Sequence, residues 1–252
     1  YRFVKTLDKE VYIVNSSLGV SLENFIEYAK QEQEYLNAII DKEEALEIVN
    51  ENTLLVIVDT HKKSYSDVPE LVDLAGKIVI IDHHRMSTDY IDNAVLTFQE
   101  VYASSAAELV TELIVYSDKN IKLSNIEAEG LYAGIMMDTK NFTFKTGVRT
   151  FEAAAYLRKY GVDIIRVKKW FQADLESYNI IANIVRNVEI HNDTIAVAVF
   201  EGEDENANLI CAKAADELLT ISDITASFVM AKMNDKICIS GRSIGDINVQ
   251  LI

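Results

Sequence analysis

Between residues 11 and 98 the chain alternates short, nearly continuous apolar runs with amphipathic stretches. The runs VYIVN (11–15), LLVIVDT (54–60), KIVIID (77–82) and AVLTF (94–98) predict buried strands. Between them, SLENFIEYAK (21–30) and VPELVDLA (68–75) predict helices, the first capped by Ser21. Apolar strands alternating with helices specify a parallel sheet covered by helices on both faces.

Beyond residue 100 the spacing becomes helical. SSAAELVTELIVYS (104–117) opens on a serine cap with Glu108 in its first turn, and SNIEAEGLYAGIMMDT (124–139) opens on the capping box Ser124/Glu127. RTFEAAAYLRKYG (149–161) closes on Gly161, a residue suited to the left-handed position after a helix. Residues 162–187 stay helical and predict a connector, although the same helices could complete the first core. TIAVAVF (194–200), NLICAKAADELLT (208–220), ITASFVMAKM (224–233) and KICISGRSI (236–244) then predict a strand–helix–strand–strand unit, with MNDK (233–236) as its hairpin turn. The expected organisation is an α/β domain over 1–161, a helical connector over 162–187 and a smaller α/β domain over 188–252.

Composition adds limits to this picture. A chain of 252 residues with 49% hydrophobic and 25% charged positions suits two soluble globular domains. No apolar run reaches the eighteen or so residues that a membrane helix needs. The start, YRFVKTLDKE, has neither a signal-peptide core nor an initiator Met, and the end, GDINVQLI, stops in an apolar stretch, so the chain reads as a piece of something longer. A net charge of −16 argues against long nucleic acid, whose binding needs a basic track, but not against a small phosphate ligand held through metal ions. Solubility alone accounts for the charge equally well. The two cysteines, Cys211 and Cys238, lack a CxxC spacing and read as buried free thiols in a reducing compartment.

Candidate chemistry gathers where elements end. In open α/β sheets ligands bind beyond the carboxyl ends of the strands. LLVIVD ends in Asp59, KIVIID ends in Asp82 followed by His83 and His84, and the apolar run AGIMMD ends in Asp138. A carboxylate closing a buried element carries a desolvation cost that a structural role seldom justifies. Together Asp59, His83 and Asp138 form a mixed imidazole and carboxylate set, suited to Mn²⁺, Fe²⁺, Co²⁺ or Zn²⁺ more than to Ca²⁺ or Mg²⁺. Each acid alone could instead cap a helix, and each histidine could be a hydrogen-bonded rim residue. His61 is a further candidate ligand, but THKKSYSDVPE (60–70) reads as a solvated loop. Arg242 and Ser243 could grip a phosphate from the second domain, or Arg242 could be a solvated strand end. Ser104 and Ser105 open a helix, where anion binding and capping are equally open. Lys145 and Arg149 are placed to line a substrate cleft. No Walker A, GxGxxG, HExxH or nucleophile-elbow pattern occurs.

The segments VDT at Asp59, IDHHR at 81–85, YASSAAELV at 102–110 and AGIMMDTKNFTFKTGVRTFEAAAYL at 133–157 resemble the motifs of the DHH phosphoesterases. ISGRSIGDINVQLI (239–252) resembles their DHH-associated C-terminal domain. Within that family the chain is most similar to cyclic-di-AMP phosphodiesterases of the GdpP/YybT type. The resemblance implies two divalent ions, expected to be Mn²⁺, with Asp59 bridging them and His83 and Asp138 ligating the second. It implies that Asp82 orients a ligand and serves the catalysis, that His84 faces the scissile phosphate, and that Arg242, Ser243, Arg85 and Ser105 contact substrate.

The reaction so implied is in-line attack of a bridging hydroxide, converting cyclic-di-AMP to linear pApA. The cyclic dinucleotide is the expected partner, long nucleic acid is not, and a homodimer is compatible. The implied location is the cytoplasmic side of a cell membrane that anchors the bacterial parent, this piece being soluble. Two family features are missing: a His followed by Asp-x-Asp, expected before Tyr1, and a Gly-rich segment ending in His, expected after Ile252. Rival readings are a nanoRNA or pAp phosphatase or a pyrophosphatase on the same scaffold, or a catalytically inactive nucleotide-binding regulatory module.

Overall fold

Short parallel strands and a layer of helices form the first of two units, Tyr1–Gln172, and a mixed sheet with two helices forms the second, Ala173–Ile252. The computed structural model describes residues 1–15, 20–172, 174–202, 206–233, 236–244 and 247–249. The α/β class is the observed one.

The first unit runs α1 (Arg2–Lys5), β1 (Ile13–Val14), α2 (Val20–Ala29), α3 (Gln33–Leu36), β2 (Ile39–Ile40), α4 (Lys42–Ile48) and β3 (Leu54–Val58). It continues with α5 (Glu70–Leu74), β4 (Lys77–Asp82), β5 (Leu96–Gln99), α6 (Ala106–Val115), α7 (Asn125–Asp138), α8 (Val148–Arg158) and α9 (Ile164–Trp170). Every strand pair is parallel, but the strands fall into two sheets, β1–β2 and β3–β4–β5. β2 is an addition to the expected strands; two isoleucines are too short a run to carry a period. Ser21 falls inside α2 instead of before it, and its side chain lies outside the described residues.

β4 lies at the centre of its sheet, and its alternation decides where Asp82 points. Successive side chains of a strand point to opposite faces. Ile78 and Ile80 are each 1% exposed, and the same inward face carries Asp82 at 0%. On β3 one face is covered, with Ile57 buried, while Leu54, Val56 and Val58 stay exposed. Cover on both faces is therefore not found for β3 among the described residues; an apolar run announces a strand without announcing what covers it.

α6, α7 and α8 pack around a core containing Ile114, Ala128, Ile135 and Leu157, joined by Val162, Val167 and Trp170 from the stretch after α8. The Ser124 hydroxyl accepts the Glu127 N–H at 3.2 Å, and the Glu127 carboxylate accepts the Ser124 N–H at 2.8 Å, closing the capping box of α7. Gly161 adopts φ +82, where a side chain would be strained and would also press on Asn125. Residues 162–187 divide between the units: α9 joins the first core, and Ile184 of α10 (Leu175–Arg186) joins the second.

The second unit continues with β6 (Glu189–His191), β7 (Ile195–Phe200), α11 (Ala207–Leu218), β8 (Ala226–Met233) and β9 (Lys236–Ser243). The sheet order is β6–β7–β8–β9; β7 and β8 are parallel across the α11 crossover, and the outer pairs are antiparallel. β6 also adds to the expected strands. Ala196, Ala198, Ala214 and Ala215 let α11 lie close on the sheet. The hairpin residues 234–235 lie outside the described residues, although Met233 pairs with Lys236 on either side of them. Cys211 is buried, Cys238 is half-buried, and both are free thiols. Among the described residues no helix is long and apolar enough to cross a membrane.

Ser124 also hydrogen-bonds the Tyr35 hydroxyl at 2.6 Å. Ser124→Ala removes that contact and the helix cap together, and is expected to cost about 1–2 kcal/mol in urea unfolding.

Candidate metal and phosphate site

Three element ends meet here. After β3 the backbone N–H of Asp59 still donates to Ile81 O of β4 at 2.9 Å, but φ is +68. A non-glycine residue in the left-handed region costs on the order of 1–2 kcal/mol. Aspartate tolerates the region better than most side chains, and the turn leaves the Asp59 carboxylate about half exposed. β4 delivers Asp82, His83 and His84, and α7 delivers Asp138 as its last residue.

His83 is 8% exposed and lies between two carboxylates: its Nε2 is 3.2 Å from Asp59 Oδ1 and 3.7 Å from Asp138 Oδ2. Its other nitrogen, Nδ1, faces the Ala103 carbonyl at 3.4 Å. A proton on Nδ1 donated to that carbonyl leaves Nε2 as a ligand atom, the arrangement common for metal-binding imidazoles. Ligand atoms of Asp59, His83 and His84 lie within 4.8 Å of one another. The donor set fits a borderline divalent cation.

Asp82 is not a member of this cluster but backs one of its members, His84. Its Oδ1 accepts the His84 N–H at 3.1 Å and lies 2.7 Å from His84 Nδ1, and its Oδ2 lies 2.5 Å from His61 Nδ1. With no solvent exposure Asp82 meets no substrate; the ring it orients is His84, while His83 is held by the backbone. Burial pushes the Asp82 carboxyl up, and the hydrogen bonds from His61 and His84 outweigh it, holding it below the usual range.

His61 is 3% exposed, so the solvated-loop expectation does not hold for it. Its Nε2 accepts the Ser87 N–H at 3.1 Å, which removes it from the metal-ligand candidates. No local pattern signals this partnership, because Lys62 and Lys63 make the surrounding loop look wet and Asp82 is 21 residues away.

The other candidates are mostly engaged within the fold. Ser105 is buried and accepts the Glu108 N–H at 3.0 Å as the cap of α6, while the Ser104 hydroxyl donates to the Glu108 carboxylate at 2.5 Å. Arg149 forks onto Glu112 at 2.7 and 2.6 Å, whereas the exposed Lys145 bears electrostatically on Asp138. Arg85 is exposed beside His84. In the second unit, Arg242 Nε donates to Asp216 Oδ1 at 3.0 Å and Ser243 Oγ donates to Ile247 O at 2.6 Å. His191 is exposed at the end of β6.

Burial, followed by the charge of Asp59, pushes the Asp138 carboxyl up to about 6. The hydrogen bond to Asp59 raises the His83 imidazole, against burial and with help from Asp138. Asp59 and Asp138 oppose each other's charge, and a cation relieves that opposition; the raised His83 reports the same negative field.

Residues 10–135 match the model of the DHH family, N-terminal domain. The chain is 43% identical over 248 residues to "Cyclic-di-AMP phosphodiesterase GdpP" of Bacillus subtilis (strain 168), covering 97% of this chain and 38% of that protein. It is 39% identical over 254 residues to "Cyclic-di-AMP phosphodiesterase PdeA" of Listeria monocytogenes, covering 100% of this chain and 39% of that protein. The chain thus spans well under half the length of these curated relatives. Among solved structures, an exopolyphosphatase-related protein from Bacteroides fragilis superposes with TM-score 0.80 at 20% identity, over 97% of this chain and 73% of that one, a likeness of fold.

A carboxyl raised on folding contributes stability that is complete below its unfolded value and is lost as pH rises through about 6 for Asp138. The raised His83 adds a loss in the same direction as pH rises through and beyond its ordinary value. Asp138→Asn is therefore expected to stabilise the metal-free protein at pH 8 and to leave it unchanged near pH 4, by urea unfolding at both pH values. The same protons compete with a cation, so calorimetric titration with Mn²⁺ is expected to give weaker binding at pH 5.5 than at pH 7.5.

Proposed function

The chain belongs to the DHH family, and from that premise we propose that it is the catalytic part of a divalent-metal-dependent phosphodiesterase that opens cyclic-di-AMP to pApA. The observation that carries this reading is His83, whose Nε2 lies between Asp59 and Asp138 while its Nδ1 is tied to Ala103 O. Identity of 43% and 39% to proteins named for cyclic-di-AMP hydrolysis supports the choice of substrate.

Asp59, His83 and Asp138 would hold the metal, with Mn²⁺ the best fit to mixed nitrogen and oxygen donors and two ions the expected number. When bound, divalent ions supply charge to offset the phosphate and an activated water at neutral pH. The protein's own groups do the positioning. Asp82 engages His84 Nδ1, so His84 Nε2 is the nitrogen left to bond a phosphate oxygen or pass a proton to the leaving 3′-oxygen. Arg85, next to it, adds a guanidinium suited to the non-bridging oxygens. We assign residues 188–252 to substrate binding, with Arg242 and Ser243 as the contacts; Asp216 would then share Arg242 with the phosphate. Ser105 serves by capping α6. The parent is proposed to be membrane-anchored with this part on the cytoplasmic side.

The test is parallel hydrolysis of cyclic-di-AMP, pApA, pAp and pyrophosphate by the full-length protein with Mn²⁺. The expected result is turnover of cyclic-di-AMP to pApA, lost by about 10²-fold or more in His83→Ala/His84→Ala with unchanged circular dichroism. Turnover confined to pApA, pAp or pyrophosphate would transfer the site to a phosphatase or pyrophosphatase. Tight cyclic-di-AMP binding without any turnover would make the chain a regulatory module.

A further inference from the structure

A histidine that is 3% exposed between lysine-bearing loop residues needs a reason to be inside. His61 has partners on each side of its ring. Nδ1 lies 2.5 Å from Asp82 Oδ2. Nε2 accepts the Ser87 N–H at 3.1 Å, and the Ser87 hydroxyl 2.9 Å away donates its own proton to Asp89 O at 2.9 Å. A nitrogen that accepts an N–H carries a lone pair, so this network places the ring proton on Nδ1, where it is donated to Asp82. The main chain adds a tie, with the Ile91 N–H donating to His61 O at 2.9 Å. His61 thus joins the turn after β3, two residues from Asp59, to the segment after β4 that carries His84.

The Asp82 carboxylate has two oxygens, and the two histidines divide them. Oδ1 serves the ring and backbone N–H of His84, and Oδ2 serves His61. Among the described residues no other hydrogen-bond partner of the Asp82 carboxylate is found. Without His61 the carboxylate loses the contact that fixes its rotation, and an oxygen buried without a donor turns toward whatever N–H is near. That of His84 is already on the carboxylate, and the His84 ring is about half exposed, with the His83 ring 4.4 Å away beside it.

We propose that His61 is a positioning residue: through Asp82 it fixes the orientation and tautomer of His84, so that His84 Nε2 is presented to the phosphate. This rests on the phosphodiesterase reading only for the step that His84 serves; the geometry it asserts concerns the protein alone. His61 touches neither the metal ligands' donor atoms nor, by its burial, the substrate.

Two amide substitutions separate positioning from mere filling of space. The Nδ2 of asparagine can stand where His61 Nδ1 stands and donate to Asp82. Glutamine places its amide near the Nε2 position, against Ser87, and leaves Asp82 Oδ2 without a donor. In the full-length protein with Mn²⁺, His61→Gln is expected to lower kcat by about 10–100-fold, and His61→Asn by no more than about threefold, both with nearly unchanged KM. Imidazole ¹⁵N shifts of the metal-free protein give a second readout: His84 stays in the Nδ1–H form in wild type and His61→Asn, and becomes a mixture of tautomers in His61→Gln.

Equal kcat and an unaltered His84 tautomer in both variants would overturn the proposal, as would a kcat loss that tracks melting temperature alone. If the wild-type protein does not turn over cyclic-di-AMP, the functional reading fails by itself, and the ¹⁵N comparison still decides the role of His61.

Discussion

The Asp82 carboxylate, with no solvent exposure and both oxygens committed to histidines, is the constraint on which the rest of the site depends. Strand alternation puts it there. Ile78, Ile80 and Asp82 occupy the inward face of β4, and a residue that ends such a face must bring its own hydrogen-bond donors or bear the cost of burial. His61 and His84 are those donors. By taking His84 Nδ1, Asp82 leaves one nitrogen of that ring for chemistry. By occupying the inward position itself, it leaves His83, one residue on, to reach across to Asp59 and Asp138.

The site is assembled against the interests of stability. Asp59 sits in the left-handed region, Asp138 is half-buried near another carboxylate, and Lys140, Asn141 and Phe142 after α7 all have positive φ. Functional sites are where such strain persists, held by surroundings that over-determine it. Here the holding structure is identifiable. The capping box at Ser124 starts the helix that ends at Asp138, and Thr139 Oγ1 accepts the Phe142 N–H at 2.9 Å as the chain leaves it. Phe142 in turn packs its ring against Tyr132 and Phe151.

How much of this is legible in the sequence depends on how local each signal is. The strands β3 and β4, the caps Ser105 and Ser124, and Gly161 after α8 are written in a few neighbouring residues, and the folded chain uses them as such. The Asp41-x-x-Glu44 capping box of α4 is equally local, but the helix behind it is short and largely polar, without an apolar period to announce it. The short β2 and β6 gain their identity from pairing, to β1 and β7, which no single run shows. The site divides the same way. Asp59, the DHH triplet and Asp138 stand out at element ends, whereas His61 is hidden because its partner lies in another strand and its neighbours are charged. The division of labour within Asp82, His83 and His84 is set by which nitrogen of each ring is already engaged, a matter of contacts in space that residue order does not carry.

In the proposed centre His83 Nε2, Asp59 and Asp138 hold a divalent cation, while Asp82 takes His84 Nδ1 and leaves His84 Nε2 for the phosphate. The most direct measurement is anomalous diffraction from crystals of the full-length protein grown with Mn²⁺. The predicted result is an anomalous peak in coordinating contact with His83 Nε2 and the Asp59 and Asp138 carboxylates, with His84 Nδ1 still on Asp82. A peak bound by Asp82 or His61, or no peak near His83 Nε2 at saturating Mn²⁺, would contradict it.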